Sequence, residues 1–247
     1  MDDTVKRRVR MRVALFGATG MVGRGVLREC LRDDAVSQIV CVGRTPLDIQ
    51  HPKIEELVTG DLFELDRLEG QLHGLDACFF CLGISSNGMS EEDYRRLTYD
   101  LTLSVAGVLV RVNPGMTFVY VSGAGTDSSE RGGSTWARVK GATENALLRL
   151  PFKAAYMFRP GVIVPLDGIQ SKTPAYRVFY RTLGVLLTPL QRLFPRFMST
   201  TRTIGLAMLE VARHGAKSPI LGRADIHAAA RTSATRLEEG GRHEYSA

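Results

Sequence analysis

The most constraining feature is a turn. An apolar run, RVALFG (Arg12 to Gly17), ends in FGATGMVGRG, where Gly17, Gly20 and Gly23 are spaced three apart. Val22, Val26, Leu27, Cys30 and Leu31 then follow helical spacing. A strand thus runs straight into a helix through a glycine loop. Gly17 permits the tight turn, Gly20 lets the backbone approach a pyrophosphate, and Gly23 lets the helix lie close to the sheet. The helix start adds free N–H groups and the positive end of a dipole. Glycines alone also make purely structural turns. Their place between strand and helix, at the head of an alternating chain, is the context that a dinucleotide site requires. The residues expected against the cofactor are Gly17, Ala18, Thr19 and Gly20, then Met21, Val22, Gly23 and Arg24.

The alternation continues along the chain. QIVCVG (Gln38 to Gly43), ELVTGD (Glu56 to Asp61) and DACFFCLG (Asp76 to Gly83) read as strands two to four. TFVYVSG (Thr117 to Gly123) and AAYMFRPG (Ala154 to Gly161) read as strands five and six, and PIL (Pro219 to Leu221) as a short seventh. Leu97, Leu101, Val105, Val108, Leu109 and Val112 mark one face of a long helix that stops at Asn113–Pro114–Gly115. WARVKGATENALLRL is a helix closed by Pro151. Solid apolar strands alternating with helices mean a parallel sheet buried on both faces. The fold class is therefore α/β, a Rossmann-type doubly wound sheet in one domain with a small C-terminal substrate-side helical region. The expected domain spans 12–227, with the substrate-side region at about 162–215. A basic leader, 1–11, precedes it. The stretch 228–247 loses apolar periodicity and reads as a flexible tail.

The tip of the second strand selects the nucleotide. An acid there accepts from a ribose 2′-OH, whereas an arginine accommodates a 2′-phosphate. The sequence is VCVGRTPLD, with Arg44 directly after Gly43. A guanidinium forms a bidentate pair with phosphate that a carboxylate would repel. NADP(H) is thus favoured over NAD(H), with Arg24 as a second contact, although Arg44 can also be read as a solvated loop residue. Asp61 and Leu62 follow the third strand, where adenine lies in such sheets. Cys81, Leu82 and Gly83 end the fourth strand and should border the nicotinamide half, together with Ile84.

Composition narrows the class further. The 247 residues are 44% hydrophobic and 23% charged, as in a globular domain, with a net charge of +6. The basic cluster Lys6 to Arg12 reads as a solvated leader. It lacks the aromatic interleaving of a nucleic-acid module, so nucleic acid is not expected. No run reaches the roughly 18 apolar residues of a membrane span. Val13 to Val22 has the look of a signal-peptide core but lacks a clean cleavage site and is better explained as strand and loop. The expected location is cytoplasmic. CFFC (Cys78 to Cys81) has redox or zinc spacing, but residues three apart on a strand face opposite ways. A structural role is expected, with no metal.

These motifs together resemble the short-chain dehydrogenase/reductase superfamily. The nearest likeness is the atypical group containing the Tat-interacting-protein oxidoreductase-like and NAD-dependent epimerase-like proteins. The resemblance rests on FGATGMVG, CLG, VYVSGAG, WARVKGATE, FRPG and ILGRADIHAAA, which span nearly the whole chain. It implies a catalytic Ser–Tyr–Lys set. Ser122 matches the serine and Lys140 the lysine that holds the nicotinamide ribose, while Trp136 stands where the tyrosine belongs. Indole N–H is a donor only and does not ionise in the usable range. No tyrosine of the chain has a lysine four residues later. Thr135 is turned away by helix geometry. Trp136 reads as lining the pocket or as covering a core. The loop Thr126 to Ser134 carries Ser128 and Ser129 within reach of the site, and Pro160 and Gly161 are expected at the nicotinamide carboxamide.

The functional expectation is an NADP(H)-binding oxidoreductase or epimerase with an unusual proton donor. The alternative is a catalytically silent nucleotide sensor or protein-interaction scaffold. The expected partners are the dinucleotide and a small-molecule substrate that the sequence does not identify. Tyr176 to Phe194 mixes basic, aromatic and apolar residues. It reads as a substrate-side cap helix, with pairing into a homodimer or contact with a membrane surface as the less favoured readings.

Overall fold

The computed structural model describes residues 10–164 and 199–244. Tyr176 to Phe194, most of the basic leader, and the central part of the substrate-side region lie outside the described residues.

Strand β1 (Met11–Phe16) leads through the glycine loop into helix α1 (Met21–Arg32). Strands β2 (Val36–Gly43) and β3 (Ile54–Val58) follow, then a 3-10 helix, Leu62–Gln71, and β4 (Ala77–Phe80). Helix α2 (Glu91–Arg95) continues through a π turn, Arg96–Asp100, into α3 (Leu101–Val112). Next come β5 (Thr117–Val121), α4 (Thr135–Leu147), β6 (Ala154–Phe158) and β7 (Ile163–Val164). The chain closes with β8 (Ser199–Thr200), α5 (Thr201–His214), β9 (Ile220–Leu221) and α6 (Arg223–Glu244).

The main sheet has the order β3-β2-β1-β4-β5-β6-β9, and every pairing in it is parallel. β7 and β8 form a separate parallel pair. The direction of winding reverses between β1 and β4, so the crevice at their C-terminal ends is the switch point where ligands bind in such sheets. The expected seventh strand is β9, formed by Ile220 and Leu221.

Strand residues alternate between two cores. Val13, Leu15 and Phe79 meet α1, α5 and α6 through Val26, Cys30, Met208 and Ile226. Ala14, Phe16 and Phe80 meet the 3-10 helix and α3 through Leu65, Val105 and Leu109. Phe16 and Phe80 stack at 5.6 Å, and Phe80 and Phe118 at 5.9 Å, which carries an aromatic row across three strands on that face. Cys78 joins the second core and Cys81 packs against the first, so the two thiols stand on opposite faces.

Two boundary expectations and one helix-face assignment need correction. Met11 is buried and belongs to β1, not to the leader. The stretch from Ala228 is not a loose tail but lies inside α6. Ile226, Ala230 and Ser233 are buried on one side, and Arg236 pairs with Glu210 of α5 at 2.7 Å. The contact stripe is made largely of small residues, so it leaves little apolar contrast in the sequence. Leu97 is 42% exposed rather than in the core. It falls in the π turn, whose wider winding takes it off the face shared by Val105 and Leu109.

The crossing of α1 with α5 needs glycine on both helices. A Cβ on Gly25 of α1 would stand 2.4 Å from Thr201 Cβ, and one on Gly205 of α5 would stand 2.8 Å from Glu29 Cγ. Gly25→Ala should therefore cost about 1–3 kcal/mol, the range for overpacking. Gly107 of α3 has open space around it, so Gly107→Ala should stabilise by about 0.5–1 kcal/mol through helix propensity. Denaturant unfolding of the two variants checks the contrast, and equal effects would refute it.

Candidate functional site

Gly17 ends β1 with a φ of +83°, in the left-handed region. A Cβ there would lie 2.9 Å from the Cys81 carbonyl carbon, and one on Gly23 would lie 2.0 Å from Gly17 O. Both positions exclude side chains. Gly20 is the N-cap of α1 and has no capping side chain, so the N–H groups of the first turn face outward.

These backbones form the floor of a cavity of about 810 Å³ at the C-terminal ends of β1 to β4. Gly17, Ala18, Thr19, Gly20 and Met21 line it. Arg44 stands at the end of β2, and Asp61 and Leu62 beyond β3. Cys81, Leu82 and Gly83 close the β4 side. Asp61 also caps the 3-10 helix, accepting from Phe63 N at 2.9 Å. Val22, Gly23 and Arg24 are not in the lining. Arg24 pairs instead with Asp48 at 2.5 Å.

Other lining residues were not anticipated. Thr45, Glu56, Phe63, Leu97 and Leu101 also border the cavity. Glu56 accepts from Leu47 N at 2.5 Å, which fixes the loop carrying Arg44. Arg96 lies over the Phe63 ring, 5.7 Å from its centroid. The pairing of β2 with β3 sets Glu56 opposite Cys41, and only that register links them. Burial, reinforced by Glu56, pushes the Cys41 thiol up to about 12, and burial likewise raises Cys81. Both are protonated wall atoms, not nucleophiles.

The second group lies around α4. Ser122 Oγ donates to Phe158 O at 3.0 Å, joining β5 to β6. Lys140 Nζ donates to Val121 O at 3.4 Å and sits 5.4 Å from the centroid of the Tyr120 ring. Trp136 covers the bend after β5, where a Cβ on Gly125 would meet its Cη2 at 3.3 Å. Ser122, Trp136, Lys140, Pro160 and Gly161 do not line the cavity. Ser128 and Ser129 are turned to other partners: Arg159 Nη2 donates to Ser128 Oγ at 2.5 Å, and Ser129 Oγ donates to Asp127 at 2.6 Å. Those bonds to Asp127, with others from Gly132 and Arg131 amides, lower its carboxyl to about 2. Thr135 accordingly points to Glu91, at 3.3 Å. Tyr94 and Tyr120 are buried, and burial raises both phenols. Among the described residues no His, Cys, Asp and Glu cluster has the makings of a metal site, and no helix is long and apolar enough to cross a membrane.

No family model matches the chain. Several curated relatives do, two of which illustrate the likeness. Protein fmp52-2, mitochondrial, of Aspergillus oryzae is 25% identical over 218 residues, covering 86% of this chain and 94% of the relative. Protein HTATIP2 of Rattus norvegicus is 28% identical over 156 residues, 62% of each chain. A short-chain dehydrogenase from Burkholderia cenocepacia in complex with NADP superposes with a TM-score of 0.62 at 14% identity, over 95% of this chain and 98% of that one. Bordetella bronchiseptica WbmF in complex with NAD+ gives 0.63 at 15%, over 89% and 77%. The chain has the short-chain dehydrogenase/reductase fold, and the likeness to the Tat-interacting-protein-like group stands. The cytoplasmic expectation does not: the fungal relatives are named mitochondrial.

Burial lowers the Lys140 ammonium from 10.5 to about 8, with Glu144 opposing the shift. Between those values the unfolded chain holds a proton that the folded chain has shed, so stability rises with pH there. Below pH 8 both forms are charged and the burial cost is full. The wild-type protein should gain stability relative to Lys140→Met as pH rises from 8 to 10.5. Thermal unfolding of the pair checks this, and a constant gap would count against it.

Proposed function

We propose that this chain is an NADP(H)-dependent oxidoreductase of the short-chain dehydrogenase/reductase kind. The observation that carries the reading is the cavity at the switch point, floored by Gly17 to Met21 and bordered by Arg44. The outward N–H groups of the first turn of α1 suit the pyrophosphate, the guanidinium of Arg44 suits a 2′-phosphate, and Asp61 and Leu62 suit the adenine end. When bound, the nicotinamide supplies the hydride. Gly83 leads the cavity from β4 towards the nicotinamide half. Lys140 holds the ribose, Ser122 orients the substrate oxygen, and Pro160 and Gly161 shape the carboxamide pocket.

Trp136 takes the place of the proton-donating tyrosine. An indole excludes water and presents a flat face, but it does not relay a proton. That observation, with the Ser122 hydroxyl committed to Phe158 O, favours a second reading: a nucleotide-binding sensor or scaffold that kept the cofactor site and lost the chemistry.

Two measurements test these readings. A charge-assisted contact to phosphate is worth about 1.5–3 kcal/mol, so Arg44→Ala should weaken NADPH binding roughly 10–100-fold. NADH binding should be nearly unaffected. Fluorescence titration reads both, and an equal loss for the two nucleotides would sink the NADP(H) assignment. Trp136→Tyr should gain carbonyl reductase activity on an aldehyde and ketone panel. A variant that folds and binds NADPH yet shows no gain would favour the sensor reading.

A further inference from the structure

Gly43, at the tip of β2, brings no side chain to the cavity, and the space beside it is open. A Cβ there would make only an ordinary contact with Thr45 O, at 3.8 Å. Strand β3 sends a side chain towards that place. Glu56 pairs with Cys41, two residues short of Gly43, so Glu56, Cys41 and Gly43 belong to the same face of the sheet. The Glu56 side chain reaches the loop that follows β2, where its Oε2 accepts from Leu47 N at 2.5 Å. Glu56, Gly43, Arg44 and Leu47 all line the cavity. The other carboxylates at this end have partners: Asp48 pairs with Arg24 at 2.5 Å, and Asp61 caps the 3-10 helix through Phe63 N. Among the described residues Arg44 makes no ion pair, and Glu56 Oε1 makes no hydrogen bond. The guanidinium and the carboxylate share one cavity wall without neutralising each other, so both are open to a ligand.

We propose that Glu56 is a specificity-determining residue of the nucleotide site. Its carboxylate accepts from the adenosine 2′-hydroxyl of NAD(H), and the same charge repels the 2′-phosphate that Arg44 attracts. The site therefore takes both nucleotides, and Glu56 limits the preference for NADP(H). An acid that selects NAD stands at the tip of the second strand in such sheets. Here that tip is glycine, and the acid comes from the neighbouring strand, which no sequence spacing marks. A brace for the loop would also explain the bond to Leu47 N. A brace needs one acceptor, which an amide supplies as well as a carboxylate. The second oxygen and the charge are surplus to that task, and both stand on the wall that carries Arg44.

The proposal rests on the reading of the cavity as a dinucleotide site, and the test separates the two. Fluorescence titration gives the Kd of NADPH and of NADH for each protein. Glu56→Gln keeps an acceptor for Leu47 N and removes the charge. It should bind NADPH about fivefold or more tightly, through loss of the like-charge repulsion. It should bind NADH about 3–10-fold more weakly, through loss of the charged acceptor. The preference thus moves towards NADPH by more than about tenfold. A loop brace alone predicts no change in either Kd for this isosteric variant, and an unmoved ratio in the folded variant overturns the proposal. A second measurement needs no variant. The 2′-deoxyadenosine analogue of NADH should bind the wild-type protein about 3–10-fold more weakly than NADH. Equal affinity overturns the role of Glu56 and leaves the dinucleotide site standing. A wild-type protein that binds neither NADPH nor NADH overturns both.

Discussion

The structure depends on one backbone contact. The carbonyl of Gly17 lies so close to α1 that a methyl group on Gly23 would sit 2.0 Å from it. That approach lays the first helix close against the sheet, and its N-cap, Gly20, brings no side chain to the amides of the first turn. The same Gly17 backs against the Cys81 carbonyl, so the loop is wedged between the ends of β1 and β4. The strands reverse their winding at this point, and the wedge keeps the crevice open. The floor of the cavity is glycine-loop backbone, and polar side chains such as Arg44 and Glu56 enter only at its walls.

The second constraint is electrostatic and lies across the sheet. Helix α4 turns buried polar groups inward, with Glu144 and Thr143 both at zero exposure and Lys140 beside Tyr120. Such groups persist only when each finds a partner. Thr143 donates to Val139 O within its own helix, at 2.8 Å, and Glu144 takes Arg159, the residue after β6. Gly141 permits the arrangement, since a Cβ there would strike Asp127 O at 1.8 Å. The loop from Thr126 to Ser134 is consequently pressed onto α4 and anchored by Asp127, rather than arched over the cavity.

The sheet was legible because its strands are buried on both faces and read as unbroken apolar runs, which only a parallel arrangement explains. The glycine loop was legible because its spacing and position carry a mechanism. What escaped reading had no local signature. Arg159 and Glu144 are 15 positions apart, and their pairing exists only once β6 lies beside α4. Leu97 obeyed helical spacing in the sequence, and the π turn that displaces it leaves no compositional mark. The final helix hid because its contact stripe of Ala and Ser looks like the composition of a solvated tail. Glu56 reached the cavity through strand register alone.

Trp136 takes on a sharper meaning in this setting. Its ring lies against Gly123 and Gly125, whose φ values of +158° and +89° shape the bend after β5. A Cβ on Gly125 would press on the indole at 3.3 Å as well as strain the backbone. The tryptophan and the glycines thus form one packed unit, in which the bend makes room for a larger ring than a phenol. The tryptophan covers the bend after β5, and further along the same helix come Lys140, beside the Tyr120 ring, and the Glu144–Arg159 ion pair.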